Sequence, residues 1–180
     1  MEPDEYFFSQ FRYEQWKLSR DSDEYSLDHS VNKKVEALMK NKKFGTVGAV
    51  ACDANGNVAA ATSTGGMTNK KYGRIGDSPV IGAGNYANNK TCAVSCTGRG
   101  EDFIRHVVAY DISALMQYRI INLHDAANYV IKDKLTKAGG RGGCIAIDRS
   151  GHIEMPFNTE GMFRGYINTN GQMKVMIYEE

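Results

Sequence analysis

Apolar and polar positions divide the chain into an aromatic opening, a hairpin, further strands, two helices and a closing run of strands. Residues 6–20 set Tyr6, Phe7, Phe8, Phe11, Tyr13 and Trp16 among charged positions, which predicts a short aromatic helix buried against something else. Residues 21–28 are polar and loop-like, 31–42 read as a modest helix ending in lysines, and 21–45 are expected to form an exposed linker. Alternation starts at Thr46–Cys52, rich in Val and Ala, and returns in the small residues Asn57–Thr64. Asn55-Gly56 between two such arms predicts a β-hairpin, because both residue types tolerate positive φ. A turn centred on Asn55 puts Thr46 opposite Thr64, whereas a two-residue Asn-Gly turn puts it opposite Gly65. Either way the threonines are neighbours, with directly opposed Cβ atoms roughly 4.5–5.5 Å apart.

A glycine-punctuated polar loop follows over 65–78, then strands over 80–87 and 91–97. From Glu101 to Tyr118, the apolar residues Phe103, Ile104, Val107, Val108, Ile112, Leu115 and Met116 share one helical face. Asn122 with Asp125 reads as the cap of a second helix carrying Leu123, Ala126, Ala127, Val130, Ile131 and Leu135, ended by glycines at 139–143. Strands are expected near 144–148, 152–157, 162–168 and 173–178. The order strands, helices, strands predicts an α+β fold: a hairpin-rich sheet with a helical layer.

Composition narrows the function. A chain of 180 residues suits one domain with a real core, and a net charge of +1 offers nothing to nucleic acid or an anionic membrane surface. No apolar run approaches the roughly 18 residues of a membrane span, and the acidic start is unlike a secretory leader, so a cytoplasmic protein is expected. Cys52, Cys92, Cys96 and Cys144 lie in or beside apolar runs without metal-ligand spacing, which predicts buried free thiols in a reducing compartment and no metal. His29, His106, His124 and His152 share no spacing and receive no role. No cofactor is expected.

Three stretches carry candidate chemistry. Cutting the Gly45–Thr46 bond would give Thr46 a free α-amine beside its hydroxyl, a nucleophile and base in one residue. That amine has an ordinary pKa of about 7.7–8.0, suited to neutral pH. The plainer alternative is a β-branched residue opening a strand. Arg74 and Asp77 could hold a carboxylate and an ammonium of an amino-acid-like substrate, or could be two solvated loop charges. Thr97-Gly98-Arg99-Gly100 leads into a helix and could aim backbone N–H groups at an oxyanion, or could be a plain strand-to-helix turn.

Five stretches decide among these readings: TVGAV from Thr46, AATSTGGMTNK from Ala60, GRIGDSPVIGAG from Gly73, SCTGRGE from Ser95 and PFNTEGM from Pro156. Together, from about Tyr6 to the end, they resemble the plant-type L-asparaginase/isoaspartyl peptidase family of N-terminal-nucleophile hydrolases. The resemblance implies a four-layer αββα sandwich, here partial, with residues 1–45 as the tail of the first (alpha) subunit and linker, and 46–180 as the second (beta) subunit. It implies an autocleaving enzyme that hydrolyses L-asparagine and β-aspartyl dipeptides and assembles as a dimer of cleaved heterodimers. Thr46 would attack first the Gly45 carbonyl and then substrate. Thr64 would orient its hydroxyl, Arg74 and Asp77 would hold the aspartyl moiety, Thr97 and Gly98 would form the oxyanion hole, and Gly100 would line the pocket. Arg99, beside that pocket, could alter which leaving groups fit. Family precursors begin with a long first-subunit segment, including a sodium-binding loop, that has no counterpart here. The chain is therefore expected to expose apolar sheet surface and an unpaired edge. Two rivals stay open: a glycosylasparaginase-like hydrolase using the same machinery, and an inactive remnant or assembly subunit needing a partner.

Overall fold

The computed structural model describes residues 4–20, 45–67, 69–71 and 73–179. Helices α1 (Asp4–Phe7) and α2 (Gln10–Ser19) precede the hairpin of β1 (Val47–Cys52) and β2 (Val58–Ser63). Its register runs from Val47↔Ser63 to Cys52↔Val58. That is the pairing of a turn centred on Asn55. Asp53 explains it: its Oδ1 accepts the N–H groups of Asn55 and Asn57, each at 2.8 Å, closing a five-residue loop. Gly56 alone in the loop takes a positive φ, 78°.

Strands β3 (Asn85–Ala87), β4 (Cys92–Gly98), β5 (Gly142–Asp148) and β6 (Ile153–Glu154) form an antiparallel sheet in that order. Side chains alternate across β4. Cys92, Val94 and Cys96 enter a core with Cys144 and Ala146 of β5, under helices α3 (Gly100–His106), α4 (Val108–Arg119) and α5 (Leu123–Asn128). The helices supply Phe103, Val108, Ile112, Leu123, Ala126, Ala127 and, beyond α5, Val130, Ile131 and Leu135. The opposite face of β4 carries the hairpin, with Gly48 of β1 seated on Ser95. A second hairpin, β7 (Arg164–Ile167) and β8 (Met173–Met176), closes the chain. Helices and strands thus build an α+β fold of hairpin, central sheet and helical layer.

Several expectations need correction. The strand expected over 80–87 is reduced to Asn85–Ala87, because residues 80–84 turn instead: Val80 N–H donates to Asp77 O, Ala83 N–H to Val80 O, and Gly82 has φ 91°. The single helix over 101–118 breaks at Val107, which is left-handed (φ 48°, ψ 48°). Beyond the break, Ala109 and Tyr110 donate their N–H groups to Ala83 O and Gly82 O, so the turn before β3 caps a new helix. Only Ile153–Glu154 of the strand near 152–157 is regular, with a further bridge between Gly143 and Phe157. Much of the aromatic opening is exposed instead of buried: Tyr6 and Phe8 face outward, Phe11 is half-buried, and Tyr13 stacks on Trp16 of its own helix. The expected helix over 31–42 lies outside the described residues, as does the expected linker over 21–45 apart from Gly45.

Other expectations hold. Asn122 Oδ1 accepts the Asp125 N–H at 2.8 Å and caps α5. That helix continues over Tyr129–Leu135 with the wider π spacing, which the apolar pattern did not indicate. All four cysteines are free, three of them buried, and burial pushes the Cys92 thiol up to about 12. No helix among the described residues is long and apolar enough to cross a membrane.

Candidate active site

Thr46 immediately precedes β1, and the register carries it opposite Thr64. The Thr46 hydroxyl donates to Thr64 Oγ1 over 3.3 Å, and the Gly66 N–H donates to that same oxygen at 3.0 Å. Thr64 is thus held by its own chain two residues on, and Thr46 leans on it. Gly45 is exposed.

This pair stands between two hollows. One, of about 500 Å³, is lined by Gly45, Thr46, Gly48, Ser95 and Thr97, with Met162, Phe163 and Val175 forming an apolar wall. The other, of about 370 Å³, is lined by Thr62, Thr64, Gly66, Lys70, Arg74, Gly76 and Ser78. Thr46 and Thr97 therefore share the first hollow, while Thr64 and Arg74 share the second.

Gly100, opening α3, ties Arg74 to Asp77. A Cβ there would lie 2.8 Å from Asp77 N and 2.9 Å from Arg74 Nη2, so only glycine permits the approach. Gly98 is constrained for another reason: a Cβ there would strike Arg141 O and the Phe103 ring. Its absence of side chain is required by packing, whatever its N–H does.

Arg74 is not the solvated loop charge of the plainer alternative. Its Nε and Nη2 fork onto Glu101 Oε1 and Oε2 at 2.8 and 2.9 Å. The hydrogen bond from Arg74 holds the Glu101 carboxyl down at about 2, and the same bond raises Arg74 further. Arg99 also approaches, with Nε 3.8 Å from Glu101 Oε2. Glu101 was missed by the sequence reading; its only signal is a carboxylate placed just after Thr97-Gly98-Arg99-Gly100.

Asp77 is 6 % exposed, and among the described residues its Oδ2 has no hydrogen-bond partner. Burial pushes its pKa up to about 6, against the pull of Arg74. A buried acceptor without a donor is costly unless a ligand supplies one. Two histidines pair with carboxylates elsewhere, His124 with Glu154 and His152 with Asp148.

A sequence model of the asparaginase family matches residues 1–177. The chain belongs to the asparaginase family. It is 53 % identical over 174 residues to the isoaspartyl peptidase of Salmonella typhimurium, covering 97 % of this chain and 54 % of that protein. It is 52 % identical over 176 residues to the isoaspartyl peptidase of Escherichia coli, covering 98 % and 54 %. Against the isoaspartyl peptidase/L-asparaginase of Xenopus laevis it is 42 % identical over 135 residues, covering 75 % and 43 %. The chain spans about half the length of the curated relatives it matches.

Proposed function

We propose that this asparaginase-family chain carries the nucleophile of an amidohydrolase acting on L-asparagine and β-aspartyl dipeptides. The observation that carries the reading is the Thr46–Thr64 hydrogen bond at the edge of a hollow shared with Thr97, one peptide bond after an exposed glycine. In the first step Thr46 Oγ1 attacks the Gly45 carbonyl carbon. The C–N bond breaks, the Thr46 nitrogen takes a proton, and an ester remains. Water hydrolyses that ester, leaving a Gly45 carboxylate and a free Thr46 amine. Residues 1–45 then form the tail of a first subunit, and 46–180 a second one.

In turnover the Thr46 amine accepts the hydroxyl proton as Oγ1 attacks the side-chain amide of substrate. Thr97 and the Gly98 N–H stabilise the resulting oxyanion. The amine or ammonia leaves with the proton held on the Thr46 amine, and water releases aspartate from the ester. Asp77 Oδ2, lacking a donor, accepts from the substrate ammonium, with Gly100 lining that pocket. Arg74 spends two of its five N–H donors on Glu101 and offers the rest to the α-carboxylate. The hairpin, central sheet and helical layer fit three layers of an αββα N-terminal-nucleophile sandwich, and the buried free thiols fit a reducing cytoplasm.

Denaturing mass spectrometry of the incubated chain tests this: pieces beginning at Met1 and Thr46 are expected, with β-aspartyl-leucine turned over faster than a glycosyl-asparagine. Thr46→Ala stays whole. A folded wild-type chain that never cleaves overturns the reading.

A second reading, that the chain works only within a larger assembly, is favoured by the outer face of the hairpin. Val47 is 66 % exposed, and Ala49, Ala51, Ala59 and Ala61 on the same face are exposed too. A homo-oligomer of cleaved heterodimers would cover such a surface. Light scattering on the purified chain tests it, and a compact monomer with full activity excludes it.

A further inference from the structure

Beneath the reactive threonines lies a second set of hydroxyls that the proposed reaction does not use. Side chains repeat every two residues along a strand. Thr62 therefore shares the inner face of the hairpin with Thr64, Gly48 shares it with Thr46, and Ser95 shares the upper face of β4 with Thr97. One repeat below the proposed site, Thr62 Oγ1 and Ser95 Oγ meet at 2.7 Å, and Thr62 Oγ1 lies 3.1 Å from Gly84 O. Ser95 is 4 % exposed and lines the same hollow as Thr46 and Thr97.

Counting hydrogens fixes the direction of the relay. Gly84 O can only accept, so the single Thr62 hydroxyl hydrogen goes to it, and Ser95 must donate to Thr62 Oγ1. Gly84 O also accepts the Cys96 N–H at 2.8 Å, which ties it to β4. Two glycines make the relay possible. A Cβ on Gly48 would fall on Ser95 Oγ, and a Cβ on Gly84 would lie within 2.6 Å of the Asp77 carbonyl carbon. The relay thus joins the hairpin bearing Thr46 and Thr64, the strand bearing Thr97, and the turn backed onto Asp77.

We propose that the Ser95–Thr62–Gly84 relay is a positioning device, which holds the Thr46 hairpin at a fixed height and register over Thr97 and beside Asp77. This rests on the reaction proposed above. Ser95 and Thr62 touch no reacting atom; they act through the strands that carry those atoms. Displacement of a nucleophile by about 1 Å costs about 10²-fold in rate, so the relay sits where a small slip is expensive.

Two substitutions at one position separate positioning by the hydroxyl from simple packing. Thr62→Val keeps the volume and loses the hydroxyl, whereas Thr62→Ser keeps the hydroxyl and loses the methyl. The full-length chain is followed by mass spectrometry for release of the Thr46-headed piece, and by amide hydrogen exchange. Thr62→Val should slow the cut roughly 10- to 100-fold and speed exchange at Val47 and Gly48, with α4 and β5 unchanged. Thr62→Ser should stay close to wild type in both readouts. Equal behaviour of Thr62→Val and wild type, or a Thr62→Ser variant as impaired as Thr62→Val, overturns the proposal. If the wild-type chain does not cleave, the proposed reaction falls, and the exchange contrast alone still decides whether the relay holds the hairpin.

Discussion

Asp77 shows how far one side chain can tie stability to recognition. Burial raises its pKa from 3.8 to about 6, so ionising it in the free protein costs on the order of 3 kcal/mol. The sign follows from linkage: a carboxyl raised on folding contributes stability that is full below its unfolded pKa and lost as pH rises through the folded one. Asp77→Asn should therefore raise Tm at pH 8 but not at pH 4, while weakening L-aspartate binding in a calorimeter at pH 8. In the wild type, KM for L-asparagine should climb as pH falls below about 6, because only the ionised form accepts an ammonium. At this scale the sequence disclosed some partners and hid others. Thr46 and Thr64 were readable as neighbours because only a short turn separates their strands. Glu101 and Ser95 were not, since their partners, Arg74 and Thr62, lie 27 and 33 residues away, joined only by packing.

Secondary elements were legible wherever local chemistry decides them. The hairpin was legible from Asn55 and Gly56 and the α5 cap from Asn122, whereas the choice between two hairpin registers fell to the Asp53 side chain. The break at Val107 was not, because Val107 suits the apolar helical pattern. What ends the helix is distant: carbonyls of Gly82 and Ala83 take the first N–H groups of α4. A β-branched residue in left-handed backbone is strained by about 1–3 kcal/mol. Glycine removes that strain, so Val107→Gly should stabilise the protein by about 1 kcal/mol, seen as a rise of roughly 2–4 °C in Tm. A fall in Tm would mean that the freedom glycine gives the unfolded chain outweighs the strain removed. The π-helical stretch was equally invisible, since Val130, Ile131 and Leu135 suit either helical spacing.

For the whole molecule, the order strands, helices, strands made a sheet under a helical layer readable, but not the hairpin as a separate sheet stacked on β4, which packing of Gly48 on Ser95 sets. Burial of the N-terminal aromatics was not correctly read: composition predicted a buried cluster, and Tyr6 and Phe8 are exposed. The outward row of the hairpin offers a direct test of assembly. Substitution of lysine for Ala49 or Ala61 should leave the lone chain within about 0.5 kcal/mol of its stability, as for other exposed positions. If a partner covers that face, the same lysines should abolish the larger species in light scattering. Finally, Thr46 heads every layered element, while α1 and α2 lie upstream of it. If the Gly45–Thr46 bond is cut as proposed, a handle fused ahead of Met1 would run with the short piece on a denaturing gel and mark the full-length band only in unprocessed protein. A handle placed after β8 would mark the longer piece instead, so the size of the band carrying each handle would read out processing.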